Sequence, residues 1–252
     1  MGVLRVGTRF EREYEVHYYD VDVKLQCKIE SIINYFTDIG TKQSEKIGVG
    51  IEYMSERNLT WVFCKYDIKI HRYPKYGEKI KVATNALGFK RFYASRLYEI
   101  FDEEGNKIVE AIGVFLLIDI NKRRAVRIPL EQYEFYGVSE DEECNINVSK
   151  LEKLKEEMYS KEFKVRYSDI DSNTHVNNVK YIEWALEAVP VEILYNNNLV
   201  ELSVVFEKEC SYGDEIKSIC EVKENDEGYI ILHKIENKEG KELTTLISKW
   251  VK

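Results

Sequence analysis

Within the ten residues from Asp169 to Asn178 the chain gathers Asp169, Asp171, Asn173, His175, Asn177 and Asn178. These side chains supply carboxylate acceptors, amides that both donate and accept, and one titratable imidazole. A second polar pair, Glu209 and Cys210, follows the apolar run that ends at Phe206. Residues of these types can orient water, hold a carbonyl oxygen as charge develops, and return a proton to a leaving group.

Their positions follow from what flanks them. Phe163, Val165 and Tyr167 alternate as on a half-buried strand before the polar loop. After it, Tyr181, Ile182, Ala185, Leu186 and Val189 recur at helical spacing until Pro190, where a helix stops. Asn177 and Asn178 therefore sit where a helix opens, with N–H groups suited to a carbonyl oxygen.

The chain also repeats itself. Glu13–Asp22 (E-Y-E-V-H-Y-Y-D-V-D) aligns with Glu162–Asp171 (E-F-K-V-R-Y-S-D-I-D), and Lys75-Tyr-Gly-Glu-Lys-Ile80 with Ser211-Tyr-Gly-Asp-Glu-Ile216. The turn Gly105-Asn-Lys107 aligns with Gly240-Lys-Glu242. Each copy reads as a strand, a helix and a run of strands. The first has a helix near 27–40 and strands near 10–18, 61–71, 78–87, 90–101 and 107–119. The second has a helix at 177–189 and strands near 199–209, 214–224, 228–236 and 243–251. This is an α+β pattern, with each helix apolar enough to be wrapped by an antiparallel sheet. Two such units in one chain imply an intramolecular pseudo-dimer, divided as 1–130, an acidic linker at 131–158, and 159–252. Ser149-x-x-Glu152 in that linker has the form of a capping box opening a short helix.

Asp and Asn are also ordinary turn and cap residues, which is the plain alternative for the loop. The repeat argues against it. Opposite Asn173 and His175 the first copy holds Lys24 and Gln26, while Asp22 stands opposite Asp171. His71-Arg-Tyr-Pro74 likewise has neither carboxylate nor thiol at the places of Glu209 and Cys210. His17 and His233 lie in strand patterns and read as structural or surface residues.

The net charge of −8 is uneven: residues 1–130 hold 22 Lys and Arg against 18 Asp and Glu, and 131–252 hold 15 against 27. That balance disfavours nucleic acid and directs an acidic partner to the first half. The run Lys122, Arg123, Arg124 and Arg127 is a solvated turn or part of such a surface. Eighteen Tyr and ten Phe favour strands. Five cysteines without a C-x-x-C pair argue against a disulfide framework or a zinc site, and for a reducing compartment. No signal-like or membrane-spanning apolar run is present, so a cytoplasmic protein is expected.

The motif D-x-N-x-H-V-N-N-x-x-Y at Asp171–Tyr181, with Glu209-Cys210 after a strand, resembles the acyl-acyl-carrier-protein thioesterases, which are tandem hot-dog enzymes of fatty-acid synthesis. Leu59-Thr-Trp-Val62, His71-Arg-Tyr-Pro74 and Tyr76-Gly77 are similar to their N-terminal domain. The resemblance implies two hot-dog domains and hydrolysis of a fatty acyl thioester at Asp171, Asn173, His175 and Glu209, with Cys210 adjacent. It also implies an acyl tunnel in the first domain, to which Ile33, Phe36 and Trp61 are assigned, and Asn177 and Asn178 at the substrate carbonyl. The expected partner is an acyl carrier protein docking on Lys90, Arg91, Arg96, Lys122, Arg123, Arg124 and Arg127. No metal or organic cofactor is called for, a homodimer is left open, and the absence of a transit peptide points to a bacterial-type enzyme. The nucleophile remains open between water activated by a carboxylate and Cys210 activated by His175.

Overall fold

The computed structural model describes residues 7–139, 146–171 and 174–252. They form two compact units, one running to Cys64 and again from His71 to Val148, the other comprising Lys65–Ile70 and Ser149–Lys252.

In the first unit the elements are β1 (Phe10–Glu15), α1 (Ile29–Lys46), α2 (Ile51–Glu56), the part of β2 (Leu59–Ile70) up to Cys64, β3 (Lys79–Lys90), β4 (Tyr93–Phe101), β5 (Lys107–Asp119), β6 (Arg124–Ala125) and α3 (Leu130–Tyr136). The strands follow the order β1-β3-β4-β5-β2, and β1-β3, β3-β4 and β4-β5 pair antiparallel. Ile29, Ile32, Ile33, Phe36 and Ile39 recur every three or four residues along α1 and are all buried. Each apolar side chain so buried contributes roughly 1.5–3 kcal/mol. Phe36 stacks on Tyr98 of β4 at 5.0 Å.

Helix α1 continues six residues past the expected end near 40. Gly40 lies inside the helix, where a Cβ would come within 3.2 Å of the Tyr98 hydroxyl. The glycine is there for close packing. The helix gains a further buried residue, Gln43, whose Nε2 donates to the Thr8 carbonyl at 2.7 Å.

The second unit comprises β7 (Tyr159–Lys164), α4 (Asn178–Glu187), α5 (Val191–Asn196), β8 (Asn198–Phe206), β9 (Glu215–Asn225), β10 (Gly228–Asn237) and β11 (Glu242–Val251). Its order, β7-β9-β10-β11-β8, is that of the first unit, and the Lys65–Lys69 stretch of β2 pairs antiparallel with β8. The starts of β1 and β7, and of α1 and α4, are each separated by 149 residues. The repeat seen in the sequence is thus a structural repeat. The first copy's extra length is largely the 18 residues of α1 against 10 in α4.

The boundaries expected at 130 and 158 shift. Helix α3 belongs to the first unit: the Tyr136 ring meets Phe89 edge-on at 5.8 Å, and the Tyr136 carbonyl accepts the Thr8 N–H at 2.9 Å. The short helix expected after Ser149 is not formed. The backbone N–H groups of Lys155 and Glu156 donate to the Glu221 carboxylate at 2.5 and 3.2 Å, and Glu152 pairs with Lys223 at 3.0 Å. A helix that short is marginal alone, and these contacts hold the segment along the sheet instead.

His233 of β10 ties α4 to that sheet. Its Nδ1 lies 3.2 Å from the Ala185 carbonyl and must carry the proton, so Nε2 accepts from the Ser248 hydroxyl at 2.8 Å. The Trp250 indole N–H also donates to that hydroxyl, at 2.9 Å. Burial pushes the His233 imidazole down to about 4, opposed by its bond to Ala185. The unfolded chain takes up this proton near 6.5, so the stability held by neutral His233 is complete above that pH and is lost as pH falls from about 6.5 to about 4. Chemical denaturation across this interval should show a loss of up to about 3 kcal/mol, and His233→Gln, although destabilised, should lack that part of the slope.

Candidate active site

The polar loop begins with a carboxylate that water barely reaches. Asp169 is 1% exposed, and its oxygens accept the Arg166 backbone N–H at 2.8 Å and the Arg166 guanidinium at 3.0 and 3.2 Å. Burial works to raise this carboxyl, but the Arg166 donors outweigh it and hold it below the ordinary carboxylate value. The Asp169 carbonyl then accepts the Asn177 N–H at 2.8 Å, which brings the loop back on itself. Within it, the Asp171 N–H donates to the His175 carbonyl at 2.8 Å, and Ile170 bridges Val176. Thr174 takes a left-handed φ of 66° to make the turn.

The first copy builds the same loop. Asp20 accepts the His17 N–H at 2.9 Å, its carbonyl accepts the Lys28 N–H at 2.9 Å, and Asp22 N–H donates to the Gln26 carbonyl at 2.8 Å. Val21 bridges Cys27, and Leu25 has a φ of 57°. The loop backbone is therefore structural in both copies. Only the second places an imidazole on it.

That imidazole meets a carboxylate from the other segment. His175 Nε2 lies 3.3 Å from Glu209 Oε2, and both side chains are partly exposed. The Val176 N–H donates to the Cys210 carbonyl at 3.3 Å, joining the loop to the stretch after β8. The equivalent bond in the first copy runs from Cys27 N–H to the Pro74 carbonyl at 2.8 Å. This places Tyr73 opposite Glu209 and Pro74 opposite Cys210. Two segments some thirty residues apart thus bring together one acid–base pair.

Cys210 is 2% exposed, and its N–H donates to the Tyr181 hydroxyl at 2.8 Å. Burial pushes its thiol above the ordinary value, the Tyr181 hydroxyl opposes that, and the Asp214 charge adds to it. A thiol so placed is protonated at neutral pH and a poor nucleophile. Tyr181 was legible only as part of the buried stripe of α4. The signal for its second role is that a buried tyrosine hydroxyl needs a partner.

The expected helix N-terminus is present and partly occupied. Asn177 is the cap of α4: its side-chain oxygen accepts the Val179 N–H at 3.0 Å, and its own N–H is taken by Asp169. Asn177 therefore acts first on the helix, and Asn178 is the first helical residue. Asn173 lies outside the described residues.

Ile33 and Phe36 are 2% and 0% exposed in the closed core under α1, where they pack rather than line an open channel. Trp61 is half-buried beside a separate aromatic cluster, its ring 6.2 Å from Phe89. Of the basic residues, Lys90, Arg91, Lys122, Arg123, Arg124 and Arg127 are exposed. The Arg91 carbonyl accepts the Ile128 N–H at 2.9 Å, which sets the β3–β4 turn beside the 122–127 segment. Arg96 is not part of that surface. It is buried, donates to Gln43 and Thr84, and lies 5.3 Å over the Tyr136 ring. Its place on β4 faces it toward α1.

Residues 7–136 match the family model for the acyl-ACP thioesterase N-terminal domain, and residues 152–252 the model for the C-terminal domain. The chain belongs to the acyl-ACP thioesterase family. It is 27% identical over 234 residues to a chloroplastic acyl-[acyl-carrier-protein] hydrolase of Cuphea viscosissima, covering 88% of this chain and 57% of that one. It is 25% identical over 230 residues to the chloroplastic oleoyl-acyl carrier protein thioesterase of Coriandrum sativum, covering 84% and 62%. The chain thus spans about three fifths of these relatives' length. In fold it is similar to an acyl-ACP thioesterase from Bacteroides thetaiotaomicron, with a TM-score of 0.83, 22% identity and 96% and 97% of the two chains covered. The 12:0-ACP thioesterase from Umbellularia californica gives 0.82 and 23%, with 96% of each chain covered. The α+β pattern of the sequence is therefore two hot-dog domains.

The buried, raised thiol has a direct consequence. Treated with iodoacetamide at neutral pH, the native protein should leave Cys210 unmodified by peptide mass spectrometry, whereas the same site in urea should react. Rapid labelling of native Cys210 would show a thiolate that this geometry does not support.

Proposed function

We propose that the protein hydrolyses fatty acyl thioesters carried on an acyl carrier protein, releasing the fatty acid and the free thiol of the carrier. The reading rests on one observation above the others: His175 and Glu209 meet at 3.3 Å in the second copy, where the first has Gln26 and Tyr73. A repeated loop that gains an acid–base pair on one side only is a scaffold that has been given chemistry.

In this reading Glu209 takes a proton from a water molecule as its oxygen adds to the thioester carbonyl. The negative charge that develops on the carbonyl oxygen is met by the opening turn of α4, where the Asn177 and Val179 N–H groups are already used and that of Asn178 is the donor. The tetrahedral intermediate then collapses, the C–S bond breaks, and the proton returns through His175 to the departing sulfur. Asp171, two residues from the buried Asp169 anchor and bonded through its N–H to the His175 carbonyl, holds the imidazole's backbone in place. The raised Cys210 thiol favours attack by water over a covalent acyl-enzyme.

The carrier, an acidic protein, would dock on the exposed Lys90, Arg91, Lys122, Arg123, Arg124 and Arg127 of the first unit, a surface from which Arg96 is now removed. The cytoplasmic location expected from the sequence belongs to the same proposal.

Thiol release from acyl carrier protein and from coenzyme A, each loaded with acyl chains of varied length, tests the substrate. Preference for the carrier form supports the proposal, and equal rates on both would replace it with a general acyl-CoA thioesterase. His175→Ala and Glu209→Gln should each lower kcat by about 10²–10⁴, whereas Cys210→Ala should keep kcat within a few-fold. Loss of turnover in Cys210→Ala, with its fold intact, would establish the covalent route. Reversing the charges of Lys122, Arg123 and Arg124 together should raise KM for the carrier substrate and weaken its dependence on salt.

A further inference from the structure

The second unit carries a cleft of about 400 Å³ lined by Lys164, Val165, Arg166, Tyr167, Tyr212 and Gly213. Its walls are the two segments that bear the candidate active-site residues. Tyr167 and Asp169 share one turn, and Tyr212 lies two residues after Cys210. The segments are laced by the Val165 N–H to the Asp214 carbonyl at 2.9 Å and the Gly213 N–H to the Val165 carbonyl at 3.1 Å.

Two features of the cleft point to a ligand. Tyr167 and Tyr212, both lining the cleft, are 86% and 70% exposed, so two large rings are left open to a bound molecule. Lys164 and Arg166 line the same cleft, in a half of the chain where acidic residues outnumber basic ones 27 to 15. Asp169 engages Nε and Nη2 of Arg166, and Nη1 makes no hydrogen bond or ion pair among the described residues. The same holds for the Lys164 ammonium.

The first copy shows what is particular to the second. It has the same two rings, Tyr18 and Tyr76, which meet edge-on at 5.9 Å, but Glu15 and His17 stand where the second copy has Lys164 and Arg166. The aromatic pair belongs to the repeated fold. The cations occur only in the copy that has the His175–Glu209 pair.

We propose that this cleft binds the phosphate ester of the thiol arm that presents the acyl group, with Lys164 and Arg166 on the phosphate and the two tyrosine rings against the arm's apolar and amide portions. The proposal rests on the hydrolase reading above and adds to it the place where the charged end of the substrate's thiol arm is held. Arg166 carries the consequence inward, since its other nitrogens hold Asp169, whose carbonyl fixes Asn177 at the start of α4.

The test compares three thioesters of one fatty acid: on acyl carrier protein, on coenzyme A, and on pantetheine, which lacks the phosphate. Wild type, Lys164→Gln and Lys164→Glu are assayed, with thermal melts to establish that each variant is folded. Lys164→Glu should raise KM for both phosphate-bearing substrates by about fivefold, with kcat within about twofold and the pantetheine thioester unaffected; Lys164→Gln should give a smaller rise of the same pattern. An unchanged KM throughout, an equal rise on the pantetheine thioester, or a rise confined to the carrier protein or to coenzyme A would overturn it. Wild-type protein inactive on all three thioesters would remove the hydrolase reading itself, a result distinct from the others.

Discussion

The structure around the candidate active site depends on one buried carboxylate. Asp169 has almost no contact with water, and it stays ionised because Arg166 gives it three N–H donors. Its backbone carbonyl in turn holds the N–H of Asn177, so one residue anchors the turn on one side and the helix cap on the other. Leaving such a group unpaired would cost several kcal/mol, which is why the loop has one geometry rather than many. The imidazole of His175 and the first turn of α4 are placed by that geometry.

The internal repeat separates what the fold requires from what chemistry requires. Asp20 and Asp169, the bridge before each helix, the left-handed residue in each loop and the turn glycines Gly77 and Gly213 occur in both copies. They belong to the scaffold. His175, Glu209, Cys210, Lys164 and Arg166 have no counterparts of like chemistry in the first copy. The first copy has instead a longer helix, the added helix α3 and a second aromatic cluster around Phe89 and Tyr136, which are means of enclosing apolar material. One copy has been elaborated for packing, and the other carries the candidate reactive groups.

Two histidines, one buried and one partly exposed, show how the same physics gives opposite roles. His233 is sealed between α4 and β11, held neutral, and serves as a clamp. His175 remains partly exposed beside a carboxylate and can exchange protons with a bound molecule. Burial also takes Cys210 out of contention as a ready thiolate, although its neighbours in the sequence invite that role. Exposure, rather than residue type, distinguishes the candidate catalyst from the structural residue in each case.

Much of this was legible in the sequence because its signals are local. Alternation and helical spacing depend on which face of an element is buried, so the strands from 78 to 119 and from 199 to 251 and the start of α4 emerge within a few residues. The offsets between the copies disclosed the repeat, and the contrast of His175 with Gln26 distinguished the two loops. The rest was decided by contacts between distant segments. The first helix reads as ending near 40 until Gly40 is seen packed against Tyr98 with the helix running on to Lys46, Ser149–Glu152 reads as a helix start until Glu221 claims the backbone after it, and Arg96 reads as a surface cation until Gln43 and Tyr136 enclose it. Propensity along the chain names what a residue can do, and only the tertiary fold, by fixing what water can reach, selects what it does.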